Sequence, residues 1–370
     1  MSRRRIFRSA SAIGSAVWLL PALLLDVGAS QADALQEQSS LLAQGRIGYV
    51  VVNRHWSLYQ TGDGKAECPN GFNDGPREEF KKLYDVSAKK LSVVDTQLQW
   101  EGNQWHPSTS KYRLPFHEVR SKISYGLNLD GKTGPSDFVS PEAEPGIDNQ
   151  LYRVLGCVDS YRIDGSLYTF ENTFLVAYAD ARLLIELSDV DDLDNDDAVT
   201  VTTYRGVDNL LGGATGKDYL PGGTQHVDMR WSKEYVQQLQ GKIVDGVLTT
   251  EPVDSIKIPW GMTANVSPFQ VFRGMRLQLK LTPRDAQGIL AGYVDVDGWH
   301  HAHNINLSTH HQSYGRASSP SIVAALKRLA DGYPDANGRN TAISAAVDLK
   351  MIQVYVVHPA SSDELVTSAR

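Results

Sequence analysis

Lys242-Ile243-Val244-Asp245-Gly246-Val247-Leu248-Thr249 is the stretch on which the fold class turns. Two β-prone runs flank an Asp-Gly pair. A two-residue hairpin turn needs positive φ, which Gly supplies. The expected structure is a tight antiparallel hairpin. Outward from it, alternating or continuous apolar runs recur between clusters of Gly, Asp, Asn and Pro: 47–52, 151–158, 167–178, 182–187, 198–204, 255–258, 275–282, 289–296 and 350–358. Each reads as a strand, and Asp164-Gly165 reads as another turn between β-type runs.

Helical signals are fewer. Pro76 to Tyr84 is amphipathic and charged, and Lys233 to Gln240 has some helical character. Ser319 to Asp331 is the clearest, with a serine cap, Pro320 at the first helical position, Ile322, Leu326 and Leu329 on one stripe, and Gly332 as a stop. Many strands and scattered helices without a β-α alternation predict a mainly β protein, a β-sandwich-like domain with a few peripheral helices.

The N-terminus sets the compartment. MSRRRIFR is basic, and the apolar stretch after it is short and interrupted by Gly14 and Pro21, the pattern of an export signal ending near Ala32-Asp33-Ala34. Ser2-Arg3-Arg4-Arg5-Ile6-Phe7 has the twin-arginine order, while the ordinary Sec route needs only the basic and apolar regions. The expected organisation is a signal at 1–34, an N-terminal segment at 35–127, a Gly-, Pro- and acid-rich surface loop at 128–150, and a main β-rich domain at 151–370. The expected location is the periplasm or the medium of a Gram-negative bacterium, with no transmembrane segment after signal removal.

The full chain carries a formal net charge of −7, and losing the signal removes four arginines and two aspartates, leaving −9. Such a balance argues against nucleic acid as a partner, which calls for basic surface, and leaves a small ligand or an envelope component. Cys68 and Cys157 are the only cysteines. In an oxidising compartment they are expected to pair.

Three constellations are candidates for chemistry. Five of the ten histidines lie in Trp299-His300-His301-Ala302-His303 and His310-His311. On a continued strand His301 and His303 share a face, and with His310 or His311 they make a nitrogen site suited to zinc or copper, with a position left open for hydrolytic or redox chemistry. Asp295 and Asp297 stand just upstream as further ligands or supports. The alternative is a solvated loop of structural histidines. The second is the acidic run 189–197, where Asp192, Asp194 and Asp196 offer hard oxygen ligands for calcium, although Asp197 and Thr203 stand where an EF-hand loop requires Gly and Glu. A solvated hairpin tip is the competing reading. The third comprises Asn128 to Gly131, Ser140 to Glu142 and Gly146 to Gln150, turn formers first and oxygen ligands second. No complete nucleophile motif is present. Trp56, Tyr59, Trp100, Trp105, Trp231 and Trp260 would make a sugar-stacking platform if exposed, and core if not.

The stretches GLNLDGKTG (126–134), FVSPEAEPGIDNQLYRVLGC (138–157), LIELSDVDDLDNDDAVTVTTYRG (184–206) and GKIVDGVLTTEPVD (241–254) resemble a loosely defined, mostly uncharacterised group of exported proteins of Gram-negative bacteria. The resemblance implies an envelope-associated or secreted β protein and carries no activity, cofactor or catalytic residue. The functional expectation is therefore an exported, ligand- or metal-binding β protein. A metal-dependent hydrolase or oxidase built on the histidines, and an envelope structural module, are the alternatives.

Overall fold

The computed structural model describes residues 45–60, 67–68, 71–73, 98–101, 104–107, 115–178, 181–216, 218–230, 233–260, 269–300, 302 and 319–359. The hairpin at Asp245-Gly246 forms as expected, with φ of 50° and 74° at the two turn residues. It joins β9 (Gln237–Val244) to β10 (Val247–Thr250).

The strands close into a barrel, which corrects the expected sandwich. The eight wall strands are β1 (Ile47–Trp56), β6 (Leu183–Ser188), β7 (Asp196–Arg205), β9, β10, β12 (Phe269–Leu281), β13 (Asp285–Asp295) and β15 (Asn340–Val357). They pair antiparallel in chain order, and β15 then returns to β1 through Gly48↔Val354 to Trp56↔Val347. Closure removes the free edges that two stacked sheets would keep. Period-2 alternation reports that one face of each strand is buried, and it looks the same in a sandwich and a barrel. What decides between them is a pairing of strands some 300 residues apart. Because β1 is part of the wall, the barrel reaches across the expected boundaries at 127 and 150.

Eight strands enclose a space that side chains fill. Tyr49, Leu187, Leu239, Leu277, Leu290 and Val347 are all buried there. β12 shows the pattern cleanly, with Leu277, Leu279 and Leu281 inside and Gln278 and Lys280 in water. Gly288 permits the tight β12–β13 contact: a Cβ there would sit 2.1 Å from the Gln278 carbonyl oxygen.

Much of the outer wall is covered as well. A connection running from 206 to 227, which includes β8 (Gly223–His226) alongside β15, covers Val50, Leu184, Ile352 and Val354. Two further segments expected to be strands are helices. In α1 (Gln150–Leu155), Leu151, Val154 and Leu155 are buried, and in α2 (Ser166–Ala177), Leu167, Glu171 and Leu175. Both spacings put the buried residues on one helical face. Consequently Asp164-Gly165 leads into α2 instead of joining two strands, with only Asp164 at positive φ. The segment 233–240 is a 3₁₀ turn followed by β9, and α3 (Ser319–Leu329) forms as expected. The segment 76–84 lies outside the described residues. No helix among the described residues is long and apolar enough to cross a membrane.

Short elements complete the chain: a ladder of β2 (Leu98–Glu101) with β3 (Gln104–Pro107), a pair of β4 (Phe138–Val139) with β5 (Pro145–Ile147), β11 (Ile256–Pro259) on the upper part of β12, and β14 (Gly332–Pro334) beside β15. Asn149 ties several of them together. Its Nδ2 donates to Ser57 O at 2.9 Å, Tyr125 O at 3.0 Å and Ser124 Oγ at 3.1 Å, and its Oδ1 accepts from Ala346 N at 3.3 Å.

Candidate functional site

Cys68 and Cys157 form a disulfide, as expected. It fastens the short segment 67–68 beside the C-terminal end of α1. Next to it, α1, the strap 116–122 and the end of α3 border a cleft of about 920 Å³ whose lining includes Cys68.

The cleft is positively charged on an acidic protein. Arg120, Lys122, Arg153 and Arg328 line it, against Glu67 and Glu118, while acidic residues outnumber basic ones by seven over the whole chain. Both carboxylates are engaged. Glu67 Oε2 accepts from the backbone amides of Arg120 at 2.9 Å and Ser121 at 3.0 Å, and Glu118 pairs with Arg328. Arg153 is fixed as a floor: Nε donates to Gln150 Oε1 at 2.8 Å, Nη2 to Ser136 O at 2.9 Å and Nη1 to Val119 O at 3.2 Å. Its guanidinium lies over Phe138, 4.2 Å from the ring centroid. These acceptors are neutral, and burial draws its pKa below the usual arginine value against the opposing pull of the Glu67 carboxylate. Arg120 and Lys122 are exposed and form no ion pair among the described residues. The strap thus brings two exposed cations, with Lys122 Nζ 3.4 Å from Pro135 O, to the same cleft as a fixed one, an arrangement suited to anions.

A second polar group lies at the end of the barrel where β1 finishes. A bulge between Val51 and Asn53 breaks the alternation of β1. Tyr49 and Val51 face inward, and after the bulge Arg54 and Trp56 do so, opposite Leu349 and Val347. Arg54 is 2% exposed. Its Nη1 donates to Pro259 O at 2.8 Å and Ala181 O at 2.9 Å, and its guanidinium stacks 4.0 Å from the centroid of Trp260. Trp56 packs on Trp260 and Trp299, with centroids 5.1 and 6.0 Å apart. Glu171 reaches this group from α2. Burial raises its pKa to about 7, against the opposing pull of Arg54 and His55, and burial lowers Arg54 to about 10. On the outer face the bulge leaves His55, with Nε2 3.1 Å from Asp348 Oδ2.

The residues picked out from sequence fare differently. His301, His303, His310 and His311 lie outside the described residues; the described part of that run, 296–300, is a helical turn with Trp299 and His300 buried. In the acidic run, Asp192 Oδ1 accepts from Asp194 N at 2.8 Å, and Asp196 accepts from Asp191 N at 2.8 Å and Ala198 N at 3.1 Å. Asp194 contributes its backbone carbonyl to Gly246 N at 2.8 Å. These carboxylates cap the turn beside the Asp245-Gly246 hairpin. Among the described residues, no three His, Cys, Asp or Glu side chains are grouped to hold a metal ion.

The third constellation behaves as turn formers. Asn128 Oδ1 accepts from Gly131 N at 2.7 Å, and Ser140 Oγ accepts from Glu144 N at 3.1 Å. Asp148 differs: burial raises its pKa to about 6 while its Oδ2 accepts from Leu129 N at 2.7 Å. Trp56 and Trp260 are core, Tyr59 is half-buried against Tyr125, and the side chains of Trp100, Trp105 and Trp231 lie outside the description. Sequence reading missed Arg120, Lys122, Arg153 and Arg328. They are dispersed over 209 positions and form no local charge run. No protein family, curated protein or solved structure matches this chain.

Proposed function

We propose that this chain is an exported binding protein and that the cleft beside the disulfide takes a small anionic ligand. The observation behind this reading is the excess of cations around a cavity of about 920 Å³ in a chain of net charge −7. Low-dielectric walls around an excess of one sign of charge, here four cations against two carboxylates, focus the field and concentrate counter-ions. The volume falls within the usual range for small-molecule sites. Export follows from the basic and apolar N-terminus, and an oxidising compartment agrees with the disulfide in the cleft wall.

Calorimetric titration of the mature, oxidised chain with citrate and with inorganic pyrophosphate tests the site. Saturable binding of at least one is expected. Arg120→Glu with Lys122→Glu should weaken it by roughly a hundredfold, since both exposed cations are reversed. Equal affinity in the double variant refutes the assignment. Fractionation of the source cells should place the protein outside the cytoplasm.

The histidine run is the second reading. The chain enters it from a turn whose Trp299 and His300 are buried at the barrel end, so the run begins at a fixed anchor. Zinc or copper held by His301, His303 and His310 or His311 would give the protein a metal-dependent activity. Metal analysis of the purified protein, with His301→Ala and His303→Ala as the comparison, decides it. The carboxylates of Asp192 and Asp196 already accept backbone hydrogens, which supports the solvated-tip reading over calcium.

A further inference from the structure

We propose that the end of the barrel where β1 finishes is a second binding site, in which Arg54 takes the carboxylate of a small amino or hydroxy acid and Glu171 takes that molecule's ammonium or hydroxyl donor. The site is separate from the cleft, and its case is independent of the cleft's.

Four observations carry it. Arg54 is immobilised from two directions by the carbonyls on Nη1 and by the face of Trp260. What remains is the Nε and Nη2 edge, the side-on pair that matches two carboxylate oxygens. Both atoms are buried and have no hydrogen-bond partner among the described residues. Second, Glu171 Oε1 is in the same condition although the residue is 3% exposed, and no ion pair joins it to Arg54 among the described residues. Third, Trp260 Nε1, a donor beside the same guanidinium, also lacks a partner among them. Fourth, Glu171 sits between Leu167 and Leu175 on the buried stripe of α2, where helix packing calls for an apolar residue.

Two groups of opposite charge, close enough to shift each other's titration, are thus both buried with polar atoms that have no partner among the described residues. Each such group is costly unless it is bonded. A molecule with one acceptor end and one donor end satisfies both at once. Trp56 and Trp260 supply the apolar surround. A carboxylate alone would leave Glu171 unpaired, and an amine alone would leave Arg54 so.

The helix α2 carries Glu171. It is held on β1 by Asn172, whose Oδ1 accepts from Arg54 N at 2.9 Å and whose Nδ2 donates to Arg54 O at 2.9 Å. Occupancy should therefore slow amide exchange across Ser166–Ala177.

The test is titration of the mature chain with phenylalanine and lactate and with their matched monocarboxylates, 3-phenylpropionate and propionate, read by calorimetry and tryptophan fluorescence. At least one donor-bearing acid should bind, by roughly tenfold more tightly than its partner. Glu171→Gln should erase that preference, and Arg54→Lys, which loses the fork, should abolish binding. Arg120→Glu with Lys122→Glu should leave both unchanged, which separates this site from the cleft. Absence of saturable binding in the wild type, or a full preference persisting in Glu171→Gln, overturns the proposal. If Arg54→Lys does not fold, the Glu171→Gln comparison decides alone.

Discussion

The cleft and the barrel end both gather charged side chains, and they do so under opposite conditions. In the cleft, Arg120 and Lys122 stand in water and the carboxylates are engaged with backbone amides or with Arg328. At the barrel end, Arg54 and Glu171 are out of water and do not reach each other. Exposed charge costs the fold little and is available to a partner in solution. Buried charge is held at the expense of stability until something bonds to it. The two regions should therefore separate when they are perturbed. Changes in the cleft should alter binding and leave stability nearly intact, whereas changes at the barrel end should alter stability and its pH dependence.

The disulfide offers the largest effect, because it belongs to the cleft wall and also crosslinks the fold. Its 89-residue separation corresponds to about 4 to 5 kcal/mol in the chain-entropy treatment. Replacing both cysteines with serine should lower the urea midpoint accordingly and loosen the segment that carries Glu67. An unchanged midpoint would mean that the crosslink constrains little.

Glu171 comes next. Its folded-state pKa of about 7 lies above the ordinary 4.5, so the folded state binds the extra proton. That contribution is fully present below about pH 4.5 and is lost as pH rises through about 7. Glu171→Gln should match the wild type in mild acid and exceed it at pH 8, by on the order of 3 kcal/mol at most. Asp148 and Asp331, each raised to about 6 by burial, push in the same direction over the range from about 4 to about 6. Melting temperatures taken from pH 4.5 to 8 check this: the slope should be negative in the wild type and flatter in the variant. A stability that rises with pH would contradict the account.

The smallest stability effect should come from Arg120→Glu with Lys122→Glu, within about 0.5 kcal/mol of wild type for exposed positions. A large loss would show that the strap is held by these charges and would blur the contrast between the regions.

Most of the wall was legible because solvent and core alternate along β12, β9 and the Asp245-Gly246 hairpin. Closure was not, since nothing in residues 47–56 records that they will lie beside residues 347–354. The runs 151–158 and 167–178 are apolar enough to suit either a strand or a helix, and only the packing of Leu151, Val154 and Leu155, or of Leu167 and Leu175, selects the helical spacing. Cys68 and Cys157 could be paired from their number and the expected compartment alone. The cleft escaped notice because its four cations are assembled by tertiary contacts, and Arg54 did because a one-residue bulge decides whether 53 and 55 or 54 and 56 face the core. Glu171 did leave a trace: once 166–177 is read as a helix, it is a carboxylate in the middle of an apolar stripe.

The cleft's assignment is tested most directly by calorimetric titration of the oxidised mature chain and its Arg120→Glu/Lys122→Glu variant with citrate and pyrophosphate, at low and at raised salt. The account predicts saturable binding to the wild type that weakens as salt screens the cations, and little or none to the variant. Binding of equal strength in both proteins, indifferent to salt, would contradict it.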